Sequence, residues 1–356
     1  DISDKFTNSV TIDAGYTSPA QSYASEITVK HNLNTYNAGA QADKLTVASG
    51  ASIDTVNMGA GNDTIILTKG GGGNAAAKVT NINAGAGNDT LELTVASDAS
   101  GDYNSIKSIT GVETIALTSV GAIDHTASIS YDAIKGNKAF SLKVSDSTKA
   151  NSGDLTIKAD NNTDIDVSQI TNGVKEGASY KDKVATLTIS DVKANATVKL
   201  RKAGDDGDVK DKIVLAADDG TVTGVNITGF DKGTAGSAQD KIQIGSTFVG
   251  TGGASALGVL PATGVGAAKG KAYVKVQDDI VLDNLDEAKA LVGKMSDATG
   301  SALVILSSAS DNKEESNIYL VTGTTATITD VKLIATVDVD IKDTTWKMAA
   351  GVLELV

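Results

Sequence analysis

Several acidic residues in this chain are preceded at a fixed distance by glycine and followed at once by a short apolar alternation. The clearest are Gly59-Ala-Gly-Asn-Asp63, which runs into Thr-Ile-Ile-Leu, and Gly85-Ala-Gly-Asn-Asp89, which runs into Thr-Leu-Glu-Leu. Looser versions lead through Asp43 into Lys-Leu-Thr-Val, through Asp54 into Thr-Val-Asn-Met, through Asp211 into Lys-Ile-Val-Leu and through Asp240 into Lys-Ile-Gln-Ile. Carboxylates and amide oxygens in glycine turns suit two kinds of chemistry. They can hold a metal ion through oxygen atoms alone, or they can hold the backbone by accepting nearby N–H groups. The acidic stretch Gly204-Asp-Asp-Gly-Asp-Val-Lys-Asp211 also reads as a solvated, charged turn.

Other chemistries find little support. The two histidines, His31 and His125, lack a His-Glu-x-x-His arrangement, which is how a zinc protease places two imidazoles on one helix face. There is no Gly-x-Ser-x-Gly elbow, and the glycine run at 70–73 lacks the Gly-Lys-Ser/Thr ending of a phosphate loop. With 44 acidic residues, paired carboxylates carry no specificity for glycoside hydrolysis. Trp346 and Tyr319 stand alone and read as packing residues. The expectation is a protein that is not an enzyme. A formal charge of −13 repels phosphates and argues against nucleic acid as a partner, but it suits a cation. The absence of cysteine excludes thiolate metal sites and disulfides, and no stretch is apolar and long enough for a transmembrane segment.

The elements that position the acids follow from composition and period. Aromatics make up 4% of the chain and glycines number 37, while β-branched and small polar residues dominate, which favours many short strands joined by turns. Asp54 and Asp63 are nine residues apart, Asp43 and Asp63 twenty, and Asp63 and Asp89 twenty-six. The first two spacings approximate one and two nine-residue units, and the excess in the third falls on the bulged run Lys69–Ala75. Three or four strand residues per unit cannot stand alone. Stacking them would bury Val56, Ile65, Leu67, Ile82, Leu91 and Leu93 against neighbouring rungs and bring the acids to a common edge.

The fold expected is therefore all-β, with segments of parallel solenoid, a sandwich-like region and a small C-terminal α+β unit. Residues 1–102 form the N-terminal solenoid and 103–202 a β-rich sandwich or irregular β-helix. Degenerate repeat turns follow over 203–250, then a Gly/Ala linker over 251–270. The α+β unit spans 271–356, with a helix over 284–296 from the spacing of Leu285, Ala288, Leu291, Val292 and Met295.

The motif resembles the repeats-in-toxin (RTX) nonapeptide, Gly-Gly-x-Gly-x-Asp-x-apolar-x. Gly59, Gly61, Asp63 and Ile65 match it, as do Gly85, Gly87, Asp89 and Leu91, with Met58 and Ala84 standing where the first glycine belongs. The resemblance implies a parallel β-roll that binds Ca²⁺ through Asp carboxylates and turn carbonyls. Calcium takes six to eight oxygens at roughly 2.3–2.6 Å, so one turn is too few and two must face each other. The implied ligands are Asp54, Gly59, Gly61, Asn62, Asp63, Gly85, Gly87, Asn88 and Asp89, with the pairs Asp54–Asp63 and Asp63–Asp89 foremost. Asp43, Asp211 and Asp240 follow in more degenerate turns.

Gly111-Val-Glu-Thr-Ile-Ala-Leu-Thr-Ser and Gly229-Phe-Asp-Lys-Gly-Thr-Ala-Gly-Ser-Ala-Gln-Asp240 are similar to segments of bacterial surface-layer proteins and large adhesins of Gram-negative cells. That likeness implies a secreted protein of the cell surface, exported by a type I system that reads its C-terminal region, consistent with a start at Asp1 without a leader. It also implies that the chain assembles with itself into a lattice, with cell-surface polysaccharide or lipopolysaccharide as a further partner. The alternatives are an adhesin or ligand-binding segment of a larger RTX protein, and a non-catalytic accessory region of a secreted polysaccharide-active enzyme.

Overall fold

The computed structural model describes residues 11–13, 24–71, 73–96, 100–120, 125–145, 153–172, 186–201, 211–215, 222–230, 240–244, 258–260, 273–279, 300–307, 315–323, 328–339, 346–349 and 352–355. They are mostly strands in parallel sheets, the all-β solenoid that the periodicity anticipates. The chain divides into two units. One comprises residues 1–160 and 169–188, the other 161–168 and 189–356.

In the first unit the strands are β1 (Thr11–Asp13), β2 (Glu26–Val29), β3 (Leu33–Asn37), β4 (Lys44–Val47), β5 (Ser52–Asn57), β6 (Thr64–Lys69), β7 (Lys78–Asn83), β8 (Thr90–Ala96), β9 (Gly101–Asp102), β10 (Ser108–Thr110), β11 (Thr114–Val120), β12 (His125–Ser130), β13 (Ser141–Ser145), β14 (Gly153–Lys158) and β16 (Thr171–Asn172). Successive strands alternate between two sheets, ordered β1-β3-β5-β7-β10 and β16-β13-β11-β8-β6-β4-β2. Each turn of the coil thus adds one strand to each sheet. A third parallel set, β9-β12-β14, begins beside them.

The register explains why a chain so poor in aromatics folds. Leu45, Ile65, Leu91, Ile115 and Leu142 pair in one in-register column, and Val47, Leu67, Leu93, Leu117 and Val144 in the next. Tyr36, Val56, Ile82 and Ile109 form the facing column on the other sheet. The six residues expected as core are all buried. Each such side chain contributes about 1.5–3 kcal/mol, and stacking like on like lets every rung share its apolar surface with two neighbours.

The run after β6 is the loop that the spacing requires. The Lys69 ammonium donates to the Gly70 carbonyl at 3.0 Å and also to that of Asn74, while the Ser49 hydroxyl donates to the Ala75 carbonyl at 2.7 Å. Residue 102 marks no break in the stack, because β10 pairs in parallel with β7 and β11 with β8. From 103 to about 145 the strands continue the parallel coil. Tyr103, fully buried, donates its hydroxyl to the carbonyls of Leu67 at 3.1 Å and Thr94 at 2.9 Å. Tyr103→Phe leaves both acceptors without that donor and is expected to lower the stability of this unit by about 1–2 kcal/mol. A fall in the urea midpoint, followed by far-UV circular dichroism, would measure it.

The second unit holds β15 (Asp164–Asp166), β18 (Thr197–Lys199), β19 (Asp211–Leu215), β20 (Val225–Thr228), β21 (Lys241–Ile244), β22 (Gly258–Leu260), β23 (Tyr273–Asp279), β24 (Gly300–Ser307), β25 (Ser316–Gly323), β26 (Ile328–Val337), β27 (Trp346–Ala349) and β28 (Val352–Leu355). The remaining strand, β17 (Thr186–Ser190), straddles the division. The mixed sheet β15-β18-β20-β26-β25-β24-β23-β22 carries antiparallel pairs only at β24–β25 and β25–β26. On the other sheet β19 pairs in parallel with β21, which pairs antiparallel with β28. Tyr319 is buried, a packing residue. The helix expected over 284–296 lies outside the described residues. So does the linker expected over 251–270, apart from β22.

Candidate cation site: a ladder of buried carboxylates

Asp43, Asp63 and Asp89, each just before a strand, turn their carboxylates inward, toward the rung before. Asp43 accepts the Ser25 N–H on Oδ1 at 2.6 Å and the Ser25 hydroxyl at 2.8 Å. Asp63 Oδ1 accepts the Asp43 N–H at 2.7 Å, and Asp89 Oδ1 accepts the Asp63 N–H at 2.8 Å. Glu113 Oε2 then accepts the Asp89 N–H at 2.7 Å. Ser25, Asp43, Asp63, Asp89 and Glu113 therefore form one ladder, in which each carboxylate fastens the backbone of the preceding coil. Exposure is 3% for Asp43 and 1% for both Asp63 and Asp89.

The glycines make this approach possible. Gly59 and Gly85 have φ of 96° and 99°, a region that side chains resist. A Cβ on Gly85 would lie 1.8 Å from the Gly59 carbonyl oxygen, and one on Gly87 would lie 1.6 Å from that of Gly61. The bare turns stack by hydrogen bonds, from Ala60 N–H to Gly39 O at 3.1 Å, Ala86 N–H to Gly59 O at 2.9 Å and Gly61 N–H to Ala86 O at 2.9 Å. Asn62 and Asn88 are exposed, and the Asn62 side-chain oxygen accepts the Asn88 N–H at 3.0 Å.

The second carboxylate oxygens differ from rung to rung. Asp43 Oδ2 accepts the Gly39 N–H at 3.0 Å. Asp63 Oδ2 and Asp89 Oδ2 are buried and have no hydrogen-bond partner among the described residues. A buried, unpaired carboxylate oxygen is costly. Burial is the main cause that raises the Asp63 carboxyl from 3.8 to about 6. The bond from Asp43 N–H opposes it, and the charges of Asp89 and Asp43 add to it. Asp89 is also raised, chiefly by burial and further by Glu113, against the bond from Asp63 N–H.

These two orphaned oxygens are what a cation would satisfy, and the turns beside them carry oxygen donors of the kind calcium takes. Two carboxylates, the carbonyls of Gly59, Gly61, Gly85 and Gly87, and the Asn62 amide are all hard oxygen ligands. Among the described residues no three Asp, Glu or His side chains converge on one point, so most ligands of such an ion would come from backbone carbonyls.

The remaining expected ligands are placed as follows. Asp54 does not join the ladder. It lies within β5, exposed, where its Oδ2 accepts from Asn34 Nδ2 at 3.5 Å, and the pair Asp54–Asp63 is not brought together as facing turns. Asp211 and Asp240 form a second ladder, with Asp211 N–H donating to Asp240 Oδ1 at 2.8 Å. The turn residues preceding each of them lie outside the described residues.

Two members escaped the sequence motif. Glu113 follows a turn shortened to Gly111-Val112, yet Gly111 (φ 68°) stacks on Gly85 as the other turn glycines do. An acid before Thr-Ile-Ala-Leu was the available signal. The other is Arg201, whose guanidinium contacts Asp211 Oδ1 through both Nε and a terminal nitrogen at 2.6 Å. Comparison of the chain with protein-family models, curated proteins and solved structures returns no match.

Proposed function

We propose that the chain is a structural component of a bacterial surface layer, secreted and folded by calcium, that assembles with copies of itself. The observation that carries this reading is the pair of orphaned, buried oxygens on Asp63 and Asp89. Inside a cell, where free calcium is scarce, ionised carboxylates buried without a counter-charge weaken the coil. Outside, calcium bound between the two turns would supply that charge, and binding to the folded state alone stabilises it by mass action. The acids are thus engaged in holding rungs together, which is the chemistry of a scaffold. Self-assembly, and anchoring to cell-surface polysaccharide or lipopolysaccharide, extend the surface-layer resemblance of the sequence.

Thermal melting in chelator and in millimolar calcium, followed by light scattering and electron microscopy, tests the proposal. At a calcium concentration 100-fold above its dissociation constant, stabilisation of about 2.7 kcal/mol is expected, together with ordered sheets. An unchanged melt would overturn the calcium reading. A calcium-stabilised monomer that binds glycans would indicate an adhesin segment in place of a lattice protein.

A further inference from the structure

The two ladders solve the same electrostatic problem with different means. The first stacks three buried carboxylates, Asp43, Asp63 and Asp89, and draws only on neutral donors from Ser25, Gly39 and successive backbone N–H groups. The second stacks Asp211 and Asp240, 1% and 0% exposed, beneath Arg201, itself 1% exposed. Arg201 serves Asp211 twice. Its backbone N–H donates to Oδ2 at 3.0 Å, the task that the Gly39 N–H performs for Asp43. Its guanidinium then brings a positive charge to Oδ1 at 2.6 Å from two nitrogens.

We infer that Arg201 is a built-in cation for the second ladder, and that among the described rungs the calcium requirement falls on those of Asp63 and Asp89. The inference rests on the calcium reading given above and sharpens it, since Asp43 and Asp211 then leave the set of calcium ligands. A guanidinium is the suitable internal substitute. It stays charged under all physiological conditions, and its planar donors match carboxylate oxygens. Its burial is tolerated because the partner is equally buried and pairs with it directly. The division also has a physical consequence for folding. The rung of Asp211 is paired without any external ion, so among the described rungs calcium acts at those of Asp63 and Asp89.

Hydrogen exchange resolved to peptides, on the full chain with and without calcium, tests this. In the parent, calcium should slow exchange over 63–67 and 89–93 by about tenfold or more and leave 211–215 within about twofold. Equal protection of both ladders would overturn the confinement while the calcium reading stood. No protection at either would overturn the calcium reading, and the Arg201 assignment would then be decided by variants in chelator. There, Arg201→Met should speed exchange at 211–215 by about a hundredfold or more, as expected when a buried partner is left unpaired. Arg201→Lys, which keeps the charge, should recover at least about tenfold of it. Complete unfolding of the second unit in the Met variant, with the Lys variant folded, is the same result in stronger form. Parent-like exchange at 211–215 in the Met variant, or equal loss in both variants, would show that the charge of Arg201 does not hold the ladder.

Discussion

In chelator at pH 7.5, Asp63→Asn is expected to melt several degrees above the parent and to lose most of its response to calcium. Asparagine is the isostere of a protonated aspartate. Its side-chain oxygen still accepts the Asp43 N–H, now made at 2.7 Å, while the charge that burial disfavours is gone. The sign follows from the shifted acid. Asp63 in the folded chain holds its proton up to about 6, against an ordinary value of 3.8. Its contribution to stability is therefore fully present below 3.8 and is lost as pH rises through about 6. A difference of about two units corresponds to at most about 3 kcal/mol, or roughly 5–10 °C in a unit of this size. The Asn variant escapes that loss, so the two proteins should converge near pH 4 and separate by pH 7. Asp63→Ala removes the same charge but leaves the Asp43 N–H without an acceptor, at a cost of about 1–3 kcal/mol. The Ala variant should therefore melt below the Asn variant at every pH. Chelator melts across pH 4–7.5 that show a flat parent, or an Asn variant no more stable than the parent, would show that the buried carboxylate carries no such burden.

The first solenoid was legible in the sequence because one rule governs it. Glycine opens a turn, an acid closes it, and an alternating strand follows, so spacing alone orders the rungs around Asp43, Asp63 and Asp89. Asp54 obeys the same pattern and breaks the inference. The strand β5 starts at Ser52 and runs through Asp54, with Ile53 buried, so the acid falls mid-strand and faces outward. Its glycine, Gly50, has no atom within 4 Å of where a Cβ would sit, and so does not stack on a neighbouring turn. Glu113 was hidden for the opposite reason, since a shorter turn with a longer acid reaches the same N–H. Arg201 was beyond reach, because nothing local marks an arginine after Leu200 as the partner of an acid ten residues on. The sequence motif therefore marks stacking turns, and the chemistry of each rung depends on what lies opposite it.

That distinction sets the largest expected loss, Gly85→Ala against Gly50→Ala. Both positions have positive φ, 99° and 82°, so each alanine incurs backbone strain of about 1–2 kcal/mol. At Gly50 the cost ends there. At Gly85 the new methyl would sit 1.8 Å from the Gly59 oxygen and 2.8 Å from its carbonyl carbon, both backbone atoms that no rotamer change can move aside. The turns must separate, which breaks the bonds from Ala86 N–H to Gly59 O and from Gly61 N–H to Ala86 O and draws Asp89 away from the Asp63 N–H. Two to three hydrogen bonds lost in a stacked edge add about 2–4 kcal/mol to the strain. Gly85→Ala should therefore cost about 3–6 kcal/mol in the first unit and also remove the calcium-induced shift in melting, because the turns that carry Asp63 and Asp89 no longer stack. Gly50→Ala should keep that shift in full. Similar destabilisation by the two alanines, with the calcium shift retained in both, would mean that these glycines serve only the turn conformation and that close stacking of the turns is not what builds the site.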